Sequence, residues 1–137
     1  MVCLSYNTYM KLILDIAADS RYPFDRKRVR EALIKTLGEQ GITKGDVKIS
    51  LSVVGDRKIR SLEKDFFGED KVTDVLSFPL EEGEEMPDDF DGLNLGDIVV
   101  CYPQAKRQAL QWNRTVDDEI EFLASHGLLH LLGVHHD

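Results

Sequence analysis

Residues 11–17 (KLILDIA) form a short run rich in leucine and isoleucine, which predicts a buried strand. Over residues 25–39, Val29, Leu33, Ile34 and Leu37 recur at spacings of four, one and three. That is the apolar stripe of an amphipathic helix, with Gly38 and Gly41 as its stop. Residues 47–54 (VKISLSVV) alternate apolar and polar positions and predict a strand with one covered face. Gly55-Asp56 ends it, with Asp56 the expected N-cap of a helix over residues 57–67. On that helix Arg57, Arg60 and Lys64 share one face, while Ile59, Leu62 and Phe66 share another.

Residues 75–80 (VLSFPL) predict a further strand, and Pro79, which lacks an N–H, assigns it to a sheet edge. Residues 96–101 (GDIVVC) read as a more central strand. Tyr102-Pro103 opens a helix running to Trp112, a residue expected in the core, with stacking on a base as its alternative role. Thr115 followed by Asp118 forms a capping box, and Asp117, Asp118, Glu119 and Glu121 complement the dipole of a helix running to about Leu132. Gly133 is its expected stop. The order predicts an α/β (α+β) fold in which one small mixed sheet is packed with helices, as a single domain spanning residues 1–137.

Composition adds limits rather than a function. The 137 residues are 42% hydrophobic and 31% charged, as in globular proteins. Cys3 and Cys101 are too few for a disulfide framework and too far apart for a CxxC motif, which favours a reducing, cytoplasmic setting. No apolar run approaches the roughly 20 residues that cross a bilayer. The formal net charge of −8 argues at first against nucleic acid. However, residues 81–91 (EEGEEMPDDFD) hold seven acids and no base, and setting them aside leaves 17 bases against 18 acids. The remainder is near neutral, and the acidic stretch reads as a solvated loop.

The chemistry lies in residues 125–137, SHGLLHLLGVHHD, which contain all four histidines. His126 and His130 stand four apart on a helix, so their imidazoles share a face and can meet one ion. Gly133 can take the left-handed turn that brings His136 back to them. The spacing favours His136 as third ligand, with His135 as the alternative. Three imidazoles at about 2.0–2.1 Å leave the fourth tetrahedral position to water, the pattern of a catalytic zinc site. Metzincin proteases share the spacing but place Glu after the first histidine as general base, where this chain has Gly127.

Read beside residues 73–79 (TDVLSFP) and 95–101 (LGDIVVC), the histidine string resembles the YbeY family of metal-dependent bacterial endoribonucleases, which act in maturation of ribosomal RNA and ribosome quality control. The resemblance spans residues 11–137. It implies a compact α/β domain with a four-stranded mixed sheet and a site at His126, His130 and His136 holding one Zn2+, or another transition metal. It further implies single-stranded RNA, a ribosomal precursor, as substrate, the ribosome or a ribosomal protein as partner, and neither DNA nor membrane.

Arg57, Arg60, Lys64 and Lys71, which precede the TDVLSF string, are candidates to hold flanking phosphates. Asp74 is a candidate to hydrogen-bond a ligand histidine or assist the water, and Ser77 to contact substrate, against ordinary roles as a turn-capping aspartate and a strand serine. Cys101 reads as a small buried hydrophobe. Three departures stand out. Phe66-Phe67 occupies the place of a Tyr-Arg pair whose arginine the resemblance ties to RNA cleavage. His135 replaces a frequent aspartate. The chain stops one residue after His136, where members run on, so a terminal helix is missing or was never present. The alternatives to an endoribonuclease are a zinc-containing ribosome-assembly factor that does not cut and, further off, a metalloprotease.

Overall fold

The computed structural model describes residues 9–80 and 92–134. Eight elements follow one another: β1 (Tyr9–Ala18), α1 (Arg26–Glu39), β2 (Lys44–Val54), α2 (Asp56–Phe67), β3 (Val75–Pro79), β4 (Leu93–Cys101), α3 (Tyr102–Gln111) and α4 (Val116–Leu131). The strands form one sheet in the order β1-β2-β4-β3. β1, β2 and β4 run parallel, and β3 pairs antiparallel with β4. Pro79 therefore sits on an edge strand and β4 lies inside the sheet, as the pattern predicts.

The alternation in β2 decides where the core sits. Val47, Ile49, Leu51 and Val53 are buried together with Leu33 and Leu37 of α1 and Leu123 and Leu128 of α4. Successive side chains on a strand point to opposite faces. Leu76, Val99 and Cys101 accordingly meet Ile59 of α2 in a second, smaller cluster. The sheet thus carries a large core on one face, closed by α1 and α4, and a small one under α2.

Close approach of β3 and β4 depends on Gly96. Its φ is +120°, and a Cβ there would lie 2.3 Å from the Phe78 carbonyl oxygen. Only glycine adopts this backbone without strain.

Two expectations are corrected. Gly55, not Asp56, is the N-cap of α2, and no side-chain cap bond is made. The Asp56 carboxylate instead receives both Nη atoms of Arg107, at 2.8 and 3.1 Å, and the Cys101 thiol at 3.3 Å. A charge-assisted fork is a stronger partner than a backbone N–H. Phe66, on the side of α2 it shares with Ile59 and Leu62, stays 64% exposed while Ile59 is buried. Trp112 caps α3 and is 52% exposed, with the Arg114 guanidinium 5.2 Å over its ring.

The acidic stretch at 81–91, Cys3, His135 and His136 lie outside the described residues. Among the described residues no helix is long and apolar enough to cross a membrane.

Candidate metal and RNA site

Helix α4 presents the histidine pair. It starts at the predicted capping box, where Thr115 Oγ1 accepts from the Asp118 N–H at 3.0 Å and Asp118 Oδ2 accepts from the Thr115 N–H at 3.2 Å. It ends in a turn that Gly133, at φ +81°, makes possible. There Gly133 N–H donates to the His130 carbonyl at 3.0 Å, and Val134 N–H donates to the Leu129 carbonyl at 2.9 Å. These two bonds form a Schellman motif, which stops the helix and redirects the chain immediately after the second histidine.

Between these ends the helix is sorted by face. Ile120, Leu123, Ala124, Leu128 and Leu131 are buried. His126 and His130 are half-buried on another side, their ring centroids 4.4 Å apart at 57°. Phe122 stacks on His126 one turn back, 6.0 Å away at 19°. Two imidazoles this close on one face suit a shared ion. The donor set therefore fits a transition metal such as zinc, for which imidazole is a preferred ligand. Among the described residues the pair has no third His, Cys, Asp or Glu grouped with it as a metal site.

The helix is fixed to the sheet at the residue between the histidines. A Cβ on Gly127 would lie 2.7 Å from Ile98 Cγ2 and 3.2 Å from both Ser77 Oγ and Val75 Cγ2. The Ser77 hydroxyl donates to the Gly127 carbonyl at 2.8 Å. Ser77 is therefore a positioning residue for α4. The place that a protease fills with a glutamate is here pressed against the sheet, with no room for a carboxylate.

The other candidates take local partners. Asp74 accepts from the Val75 N–H at 2.7 Å, and its carbonyl accepts from the Cys101 N–H at 2.8 Å. Arg60 donates to both oxygens of Asp70, at 2.6 and 3.3 Å, which holds the Asp70 carboxyl below its usual range. Lys71 pairs with Glu69 at 2.8 Å. Lys64 lies in the last turn of α2. Cys101 is fully buried, and burial is the main cause pushing its thiol up to about 12.

Two networks escaped the sequence reading. Arg28 of α1 donates to Asp118 at 2.8 Å and also pairs with Asp117 and Glu121. Its hydrogen bond is the main cause keeping the Asp118 carboxyl low, whereas burial raises that of Glu121. Glu119, fully buried, receives Gln108 Nε2 at 2.7 Å and makes an ion pair with Arg114 at 2.9 Å. Arg114 also lies 5.5 Å over the Phe122 ring. The only sequence signal for either was the density of acids in the first turn of α4.

At the outer edge of the sheet, a cleft of about 400 Å³ is lined by Phe66, Phe67, Ser77, Phe78, Gly96 and Asp97, among others. Phe78 meets Phe66 edge-on at 5.0 Å and Phe67 at 6.0 Å. Ser77 belongs both to this cleft and to the contact that holds α4.

Comparison with known proteins agrees with this architecture. The family described as Endoribonuclease YbeY matches residues 16–137. A protein named Endoribonuclease YbeY from Desulforamulus reducens is 44% identical over 107 residues, 77% of this chain and 70% of that one. The protein of the same name from Bacillus licheniformis is 37% identical over 133 residues, 93% of this chain and 84% of that one. A Thermotoga maritima protein solved in solution superposes with a TM-score of 0.55 at 30% identity, covering 91% of this chain and 75% of that one.

Proposed function

The chain belongs to the endoribonuclease YbeY family, and from that premise we propose that it hydrolyses phosphodiester bonds of single-stranded RNA, a ribosomal precursor, at a zinc ion held by His126, His130 and His136. The observation that carries the reading is the His126–His130 pair, held on one face of α4 within a chain of this family. Zinc bound there supplies a Lewis acid able to lower the pKa of water to about 7. The protein's own part is positioning. Ser77 ties α4 to β3 at the residue between the two histidines, Phe122 backs His126, and the Schellman turn ends the helix just after His130.

RNA rather than peptide is the better substrate because Gly127 has no side chain and faces Ile98, so no general base can stand there. We place the activity in ribosomal RNA maturation and ribosome quality control in the cytoplasm, with the ribosome or a ribosomal protein as partner.

One observation favours a second reading, that of a zinc-containing assembly factor that binds without cutting. Phe67 carries no guanidinium, and Arg60 is engaged by Asp70. An assay of single-stranded RNA cleavage by the zinc-loaded protein, with and without chelator, separates the two. The expected result is cleavage that chelator abolishes and zinc restores, with casein left intact. Zinc-dependent RNA binding with no cleavage would instead establish the assembly factor.

A further inference from the structure

Phe66 and Phe67 are adjacent at the C-terminal end of α2, about 100° apart around the helix. They remain 64% and 52% exposed, immediately before Gly68 ends α2 in the left-handed conformation. Two large rings left in solvent at a helix end ask for a partner. Phe78, half-buried on β3, joins them at centroid distances of 5.0 and 6.0 Å. The three rings line a concave site that also includes a carboxylate. Asp97, opposite Phe78 in the β3–β4 register, is exposed into it. A second hollow of about 390 Å³ shares Phe66, Phe78 and Asp97.

Aromatic walls with one carboxylate form a specific combination. The carboxylate repels phosphate and gives nothing to an aliphatic side chain, but it accepts hydrogen bonds from an amino group. The planar rings suit a planar ligand. A nucleobase with an exocyclic amine satisfies both, since Asp accepts from the amino group of cytosine while aromatic faces stack on any base.

We propose that this cleft seats one unpaired amino-bearing nucleobase of the RNA, cytosine or adenine, stacked on Phe66 and Phe67 and hydrogen-bonded to Asp97. The proposal rests on the RNA-cleaving reading above and adds to it a base subsite at the outer edge of the sheet. Ser77 lines the cleft, and its hydroxyl bonds the Gly127 carbonyl between His126 and His130, so the edge strand β3 borders both the cleft and the histidine helix. Grip at position 67 is then aromatic rather than ionic.

The test measures binding of short 2′-O-methyl oligocytidine and oligouridine, which resist cleavage, to the zinc-loaded full chain. Cleavage of the corresponding RNA is measured alongside. The parent is expected to bind oligocytidine more tightly than oligouridine. Phe67→Leu is expected to weaken oligocytidine binding about tenfold without changing the dependence on salt, because no phosphate contact is lost. Phe67→Tyr is expected to restore it. Asp97→Asn, whose amide can also donate, is expected to remove the preference for cytidine. Phe66→Leu gives an independent reading should Phe67→Leu fail to fold. If the parent cleaves RNA while these variants bind both oligomers as it does, the cleft proposal is overturned and the RNA reading stands. If the parent neither binds nor cleaves RNA, both are overturned.

Discussion

Gly127 shows how one missing side chain sets both packing and chemistry. Alanine there gains helix propensity of about 1 kcal/mol, but its methyl would lie 2.7 Å from buried Ile98. Overpacking of this kind costs about 1–3 kcal/mol, so Gly127→Ala is expected to lower stability by roughly 1 kcal/mol in urea unfolding. Gly127→Glu, which restores the protease pattern in sequence, should lose far more and gain no peptidase activity.

A second residue gives a pH signature. The Cys101 thiol is held protonated up to about 12 by burial, against 9.0 as its ordinary value. Between those limits the unfolded chain binds fewer protons than the folded one, so stability falls as pH rises through this window. The decline in urea midpoint from pH 9 to 12 should be shallower in Cys101→Ala than in the parent.

At this scale the sequence was readable where the signal was chemical and opaque where it was geometric. The histidine spacing, the buried cysteine and the edge proline all stand in the pattern. That Asp56 serves Arg107 and Cys101 rather than its own helix, and that Trp112 and Phe66 face solvent, depends on neighbours 40 or more residues away or on which face a helix presents.

All eight described elements fall where periodicity places them, with bounds within three residues of those expected. The reason is local. Caps and alternation act within a few residues, so α4 is announced by Thr115 and closed by Gly133 without reference to the rest of the fold. Removal of the N-cap hydroxyl in Thr115→Ala is expected to cost about 1 kcal/mol in urea unfolding. A loss well below half of that would show that the bonds from Arg28 to the first turn, and not the cap, hold the start of α4. Those bonds were hidden in the sequence, because Arg28 and Asp118 belong to helices far apart in the chain.

For the whole molecule, the two faces of the sheet divide the labour. The α4 face holds the larger core and the histidines, and the α2 face holds the aromatic cleft at the outer edge. The strand order and the mixed pairing follow from the element order only in outline. Placing β4 between β2 and β3 required the structure, because short strands carry little information about which edge they join. Zinc that binds only the folded chain must stabilise it by mass action, by about 2.7 kcal/mol at a free concentration 100 times its Kd. Addition of zinc to metal-stripped protein is therefore expected to raise Tm, with no rise in His126→Ala. An equal rise in both would place the ion elsewhere.

The position of α4 in the chain also governs how the protein is made. All four strands precede it, so during synthesis Val75, Ile98 and the rest of that face emerge uncovered. At about 5–20 residues per second, the 16 residues of α4 take roughly one to three seconds to follow. Until they dock, the nascent sheet is a sticky surface and Ser77 has no carbonyl to receive its proton. The helix that ends this vulnerable interval is also the one carrying His126 and His130. A copy arrested before that closure keeps its sheet face uncovered and is prone to aggregate.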